Sequence, residues 1–207
     1  KTDTVLANLL NGRMIEGFLA PESNGHDWLA NMRAYYLMEN VSLEPKTPYL
    51  LAFCSSTDYD HLRYALTSAL MFDGYFTCLK GGVSEEISWW FDEYSIDYVT
   101  GKPIQSLDAK GYLGVPVSNA HNADDSGELL SALLADNDPR AMQVTWRRDF
   151  ENGIALINPS LSTKVIDLHG TYRKIFGTQD PDFNDGSNIT SISLPPQSGI
   201  ILLTNRG

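Results

Sequence analysis

The first hundred residues alternate short apolar runs, typical of buried strands, with longer runs whose apolar positions recur at helical spacing. The predicted strands are "RMIEGFL", "PYLLAFCSS" and "YFTCL", and the predicted helices are "TDTVLANLL", "HDWLANMRAYYLMEN" and "YDHLRYALTSALMF". Thr57 or Asp58 can cap the last of these helices, which stops at Asp73-Gly74. This alternation favours right-handed crossovers and a parallel sheet.

The pattern changes after residue 100. Residues 101–140 are rich in Gly, Asn, Asp and Ser and contain one short helical stretch, "GELLSALLA", which indicates a linker region with a helical insert. Residues 141–207 consist of short apolar runs separated by turn-forming pairs such as Asn-Gly, His-Gly and Asp-Gly, which predicts six strands in a small antiparallel sandwich. The six predicted strands are "MQVTWRRDF", "GIALINPS", "TKVIDLH", "YRKIFG", "ITSISLP" and "GIILLTN". We therefore divide the chain into an α/β part (1–100), a linker (101–140) and an all-β part (141–207).

Several segments resemble one known group of proteins. They are "LRYALTSALMFDGYF", "WWFDEY" followed by "GKP", "RRDFENGIALINPS" and "GTQDPDFNDGSNITSISLPPQSGIILL". They look like the C-terminal half of barrel-type glycosyl-hydrolase-like proteins, in which a barrel precedes a β-sandwich. The resemblance implies a partial (β/α)8 (TIM) barrel, a C-terminal sandwich and hydrolysis of glycosidic bonds in an oligo- or polysaccharide.

Length and charge narrow the classes of partner. A whole barrel takes about 250 residues, so we expect this chain, which begins at Lys1, to be a piece of a longer protein. The missing strands would come from an upstream half or from a second copy of the chain. The net charge of −11 argues against nucleic acid and anionic membranes as partners. No apolar run approaches the roughly 20 residues of a membrane span.

Cysteine and histidine positions give no sign of a cofactor. Cys54 and Cys78 both lie in apolar runs predicted as strands, and buried free thiols are favoured over a disulfide. The histidines stand apart from one another, without carboxylates or cysteines at the spacing of metal ligands. We therefore expect neither a metal nor a cofactor.

The densest chemical signal is the stretch "KGGVSEEISWWFDEY", which directly follows the predicted strand "YFTCL". Sugar rings stack their C–H faces on aromatic side chains, while their hydroxyls bind carboxylates. Trp89, Trp90 and Tyr94 are accordingly predicted to bind substrate, and Asp92 and Glu93 are candidate catalytic acids. The alternative is that the tryptophans only pack the two parts of the chain together.

A further candidate acid lies on the first predicted strand. Alternation in "RMIEGFL" places Glu16 on the opposite face from Ile15, towards the expected lumen of the barrel. Arg63 is either a substrate-binding cation or the ion-pair partner of Glu16. Glycoside hydrolysis normally needs two carboxyl groups, and Glu16 with Asp92 or Glu93 could form that pair. A non-catalytic carbohydrate-binding protein and a purely structural fragment are the two alternatives.

Overall fold

A computed structural model of the chain describes residues 9–20, 28–79, 89–106, 109, 111–135 and 139–205. The strands are β1 (Met14–Glu16), β2 (Tyr49–Phe53), β3 (Tyr75–Leu79), β4 (His121–Asn122), β5 (Trp146–Phe150), β6 (Gly153–Asn158), β7 (Lys164–Lys174), β8 (Asn188–Leu194) and β9 (Ser198–Thr204). The helices are α1 (Trp28–Val41), α2 (Tyr59–Ala69) and α3 (Leu129–Leu134). Short 3-10 turns cover Asp92–Tyr94 and Pro139–Met142.

The α/β part follows the predicted strand–helix alternation. Strands β1, β2 and β3 pair in parallel and in chain order, with α1 and α2 as the crossovers. Asp58 caps α2, since its side chain accepts a hydrogen bond from the backbone N–H of His61 at 3.3 Å. Of the two predicted caps, Asp58 is therefore confirmed. The helix predicted in "TDTVLANLL" falls mostly on residues outside the described ranges.

The prediction of a partial (β/α)8 barrel followed by a sandwich is wrong. Within the described residues the chain forms one three-stranded parallel sheet and one six-stranded antiparallel sheet, ordered β4-β5-β6-β9-β7-β8. The error has a physical cause. Strand–helix alternation specifies parallel pairing and the hand of the crossover, but closure of a sheet depends on the number and tilt of its strands, which a local pattern does not contain.

The antiparallel sheet replaces the predicted sandwich by curling on itself. The segments "TKVIDLH" and "YRKIFG" were predicted as two strands, but they form the single strand β7, with a register shift between Asp167 and Tyr172. The β7–β8 hairpin folds over one face of β6 and β9. The resulting outer core contains Ile154, Leu156, Ile166, Leu168, Ile192, Leu194, Ile200 and Leu202. One hydrogen-bonded sheet thus has apolar contacts on both faces.

Helix α2 joins the two sheets. Alternate residues of β6 and β9, including Ala155, Ile157 and Ile201, point away from the outer core and share a larger core with both long helices. Gly199 on β9 permits this contact, because a Cβ there would overlap the side chain of Thr67 on α2. The larger core therefore runs without a break from the parallel sheet to the antiparallel sheet.

Among the described residues, one face of the parallel sheet is open at the amino ends of its strands. Met14, Tyr49 and Tyr75, on neighbouring strands in one register row, are 55%, 51% and 55% exposed, and the two tyrosine rings stack 5.3 Å apart. Coverage of this face by another segment or a second copy stays a prediction. Within the residues that the structure describes, none of the helices has both the length and the apolar character needed to cross a bilayer.

The two cysteines form a disulfide, so the prediction of free thiols is wrong. Cys78 lies on β3 and Cys54 directly follows β2, and their Cα atoms are 5.8 Å apart. That separation lies within the range that a disulfide can bridge. The bond links neighbouring parallel strands at their carboxyl ends. Sequence alone could not distinguish the two states, because a buried strand position suits a thiol and a disulfide equally well.

A charged cluster connects β4, β5 and β7 at the edge of the antiparallel sheet. His121 Nε2 lies 2.8 Å from Asp149 Oδ2, and Arg147 donates to Asp149 Oδ1 at 2.6 and 3.0 Å and to the Tyr172 hydroxyl at 2.8 Å. The hydrogen bond to Asp149 raises the pKa of His121 although burial opposes it. Burial acts to raise the pKa of Asp149, but hydrogen bonds from His121 and Arg147 outweigh it and lower that pKa to about 2.

These two pKa shifts predict that the charged cluster stabilises the fold most strongly within a limited pH range. Asp149 stabilises the fold above its ordinary pKa of 3.8 and loses this effect as the pH falls towards 2. His121 stabilises the fold below its ordinary pKa of 6.5 and loses this effect as the pH rises past its higher folded pKa. In urea unfolding, Asp149→Asn should therefore cost on the order of 1–2 kcal/mol near pH 5.5 and less near pH 3 or pH 9. A pH-independent difference would contradict this account.

Candidate functional site

A cavity of about 560 Å³ lies between the edge of β3, helix α2 and the antiparallel sheet. Its aromatic walls are Phe76, Trp89, Trp90, Tyr94, Tyr112 and Phe150. Leu66, Leu70, Leu113 and Ile201 add aliphatic surface, and Thr77 and Glu93 add polar groups. We call this space the aromatic cavity. Its size falls within the range of about 300–1,000 Å³ that is usual for small-molecule sites.

The aromatic side chains are held in place by contacts at their edges. Trp89 donates its indole N–H to the carbonyl oxygen of Cys54 at 3.2 Å, which fixes it near the carboxyl end of β2. Tyr94 meets Trp90 edge to face, with ring centroids 6.2 Å apart, and meets Phe76 at 6.5 Å. Such T-shaped pairs favour one relative orientation of the rings. These contacts define the orientation of the rings in the cavity wall.

Glu93 is a buried acid in the wall of the aromatic cavity. Only 5% of the residue is exposed, and its Oε1 atom accepts a hydrogen bond from Asn184 Nδ2 at 2.9 Å. Arg63 Nη1 lies 3.6 Å from the same oxygen. Burial raises the pKa of Glu93, although Arg63 and Asn184 both act to lower it. A carboxyl group with a raised pKa can carry a proton at a pH where an exposed glutamate has lost it.

Asp92 points away from this cavity and holds the loop between β7 and β8. Its Oδ2 atom accepts hydrogen bonds from the backbone N–H groups of Thr178, at 2.5 Å, and Gln179, at 3.0 Å. The Gln179 side chain accepts from the Asp92 N–H at 2.8 Å and donates to the Trp90 carbonyl at 2.9 Å. Gly177 allows this close fit, because a Cβ there would lie 2.9 Å from the Asn184 Cβ. These hydrogen bonds account for the burial of Asp92 without a catalytic role.

Arg63 is a buried cation between α2 and the β7–β8 loop. It is 3% exposed and pairs through Nη2 with Asp60 and with Asp180, at 2.7 Å in each case. The Phe183 ring lies 4.0 Å from its guanidinium carbon. Arg63 does not line the aromatic cavity but lies behind Glu93. Its contacts with the β7–β8 loop make it a positioning residue in this arrangement.

The remaining candidate, Glu16, occupies a different part of the molecule. It ends β1, is exposed, and lies in register with Leu51 on β2 rather than in the wall of the aromatic cavity. The structure thus brings Trp89, Trp90, Tyr94 and Glu93 to one cavity and leaves Glu16 outside it. The part of the acidic stretch at residues 80–88 lies outside the described residues.

Sequence reasoning missed several residues of this site. Phe76, Tyr112 and Phe150 complete the aromatic wall, and Asn184 binds the candidate acid. The segment "GTQDPDFNDGSN", which contains Asn184, carried part of the resemblance but was not predicted to approach Glu93. Its density of polar and turn-forming residues was the available signal of a structured loop.

Comparison with known proteins adds no assignment. No known protein-family profile matches the chain, and no curated protein matches it. The resemblance to barrel-type glycosyl-hydrolase-like proteins stays a prediction.

Proposed function

We propose that the aromatic cavity binds a carbohydrate chain and that the protein hydrolyses glycosidic bonds. One observation carries the proposal: Trp89, Trp90, Tyr94 and the buried acid Glu93 line a single cavity of about 560 Å³. Sugars combine apolar C–H faces with polar hydroxyls, so they suit a wall that is mostly aromatic with a few polar groups. A purely apolar ligand would desolvate the Glu93 carboxyl further without offering it a hydrogen bond.

Glu93 takes the role of general acid in this proposal. Protonation of the leaving-group oxygen requires a carboxyl group that still holds its proton near neutral pH, and burial raises the pKa of Glu93. Asn184 fixes one carboxyl oxygen, which orients the group within the cavity wall. Arg63 lies close enough to stabilise the carboxylate that remains after proton transfer.

A second candidate function is carbohydrate binding without catalysis. Glu93 is the only carboxylate in the wall of the aromatic cavity among the described residues. Glycoside hydrolysis uses two carboxyl groups, and Glu16, the other predicted acid, lies outside that wall. A site with a single acid binds hydroxyls but lacks the base or nucleophile. A turnover assay on the unmodified chain separates the two functions.

The Trp90→Ala variant tests the site. Loss of a stacked ring costs roughly 1–3 kcal/mol at aromatic platforms in other systems, so we expect the Kd for a bound oligosaccharide to rise about 5- to 150-fold. Calorimetric titration with soluble cello-, xylo- and malto-oligosaccharides measures this change. Trp90 is the better choice because Trp89 also hydrogen-bonds the backbone at Cys54.

Tyr75→Ala is the matched control. Tyr75 is an aromatic residue on the open face of the parallel sheet, outside the wall of the aromatic cavity. We expect this variant to bind like the unmodified chain. Equal binding by Trp90→Ala and the unmodified chain, together with a large drop in melting temperature, would contradict the proposal and assign the ring to packing.

A further inference from the structure

We propose that a second cavity, independent of the aromatic cavity, binds a single neutral, polyhydroxylated ring such as one pyranose unit. This cavity has a volume of about 230 Å³. Its polar lining includes Tyr36, Glu39, Lys46, Asp73, Asn119 and Arg148. It shares no lining residue with the aromatic cavity. We call it the polar pocket, and its function goes beyond the one proposed above.

The balance of charges in the polar pocket selects for a neutral ligand. Its carboxylates belong to Glu39 and Asp73, and its cations belong to Lys46 and Arg148. The formal charges of these groups cancel, so a ligand with a net charge would gain from one pair and be repelled by the other. A hydroxyl group donates one hydrogen bond and accepts others, which suits a lining that offers both kinds of partner.

Arg148 gives the pocket a rigid base. The residue is 6% exposed, and its guanidinium donates to the carbonyl oxygen of Leu70 at 3.1 Å and to Asp73 Oδ1 at 2.7 Å. A weaker contact reaches the carbonyl oxygen of Ser118 at 3.4 Å. These bonds join β5, the end of α2 and the loop before β4 around one buried charge. Asp73, whose side chain is 64% exposed, presents its carboxylate at the mouth.

Glu39, on α1, supplies an acceptor next to Asp73. Burial raises the pKa of this carboxyl, and the negative charge of Asp73 acts in the same direction. A backbone hydrogen bond from Asp73 and the charges of Arg148 and Lys46 oppose the shift. Hydroxyl donors from a bound ring would relieve the partial desolvation of Glu39 without adding a charge.

Two aromatic rings give the pocket an apolar side. Tyr36 and Phe72 both line it, with ring centroids 5.8 Å apart and planes tilted by 39°. A pyranose has an apolar C–H face that can lie on such a ring while its hydroxyls point to the polar groups. A volume of 230 Å³ corresponds to about eight waters. That space accommodates one ring.

The test is a titration of the complete chain with D-glucose, D-galactose and myo-inositol, followed by protein NMR. We expect millimolar binding of at least one of them, with shifts confined to the residues around Tyr36, Glu39 and Asn119. Glu39→Gln and Asn119→Ala should each raise the Kd about tenfold, while Arg148 is left intact because it holds the local fold. Trp90→Ala should leave this binding unchanged.

Three outcomes would overturn the inference. They are no shift with any of the three probes at millimolar concentrations, shifts that map to the aromatic cavity instead, and binding that Glu39→Gln and Asn119→Ala leave untouched. Because Trp90→Ala affects only the aromatic cavity, a failure of the polar pocket is distinguishable from a failure of the proposed function.

Discussion

Glu93→Gln should lower the turnover of a polysaccharide substrate by about 10²- to 10⁴-fold, the usual contribution of a general acid. The amide keeps the shape of the side chain but cannot donate the acid proton to the leaving group. Release of reducing ends from soluble polysaccharides measures the rate. The unmodified chain should also lose activity as the pH rises through the raised pKa of Glu93, and the variant should lack this dependence.

Glu16→Gln provides the comparison within the same assay. Because Glu16 lies on β1, outside the aromatic cavity, its loss should leave turnover close to that of the unmodified chain. Asp182→Asn, a charge change on an exposed residue of the β7–β8 loop, should have no effect. Full activity of Glu93→Gln would remove Glu93 from the mechanism. Binding without turnover by the unmodified chain would favour the non-catalytic function.

Asp92→Ala should reduce the free energy of unfolding by about 3 kcal/mol or more, because hydrogen bonds to a charged acceptor contribute roughly 1.5–3 kcal/mol each. The substitution leaves the backbone N–H groups of Thr178 and Gln179 without their acceptor. Asp92→Asn keeps one acceptor oxygen and should cost about half as much. Urea unfolding followed by tryptophan fluorescence measures the three proteins.

Asp182→Ala is the matched control for that series. It removes an exposed aspartate from the same loop, and a surface substitution of this kind is expected to change stability by about 0.5 kcal/mol or less. If Asp92→Ala were as stable as Asp182→Ala, the β7–β8 loop would not depend on Asp92. Asp92 would then return to the list of catalytic candidates.

The local elements were predictable because local patterns determine them. The apolar run "YFTCL" became β3 with the predicted bounds, and Asp58 caps α2 as expected. The long-range arrangement of the strands was harder to predict from the sequence. The closure of a barrel and the curling of the antiparallel sheet depend on strand number and twist, and a sequence run carries no direct record of either.

In the candidate site, too, the sequence predicted neighbouring residues better than long-range contacts. Trp89, Trp90, Tyr94 and Glu93 were predicted together because they are neighbours in the sequence, and they line one cavity. Asp92 was predicted beside them, yet it lies in the 3-10 turn Asp92–Tyr94 with its side chain bonded to the β7–β8 loop. The bond from Asn184 to Glu93 spans 91 residues, and no periodic pattern reports a contact of that kind.

A crystal structure of the chain with a bound oligosaccharide tests the central claim most directly. Our account predicts a sugar ring on the face of Trp89 or Trp90, with a glycosidic oxygen or hydroxyl within hydrogen-bond distance of the Glu93 carboxyl. An oligosaccharide bound elsewhere, with the aromatic cavity filled by solvent or by protein side chains, would contradict the account.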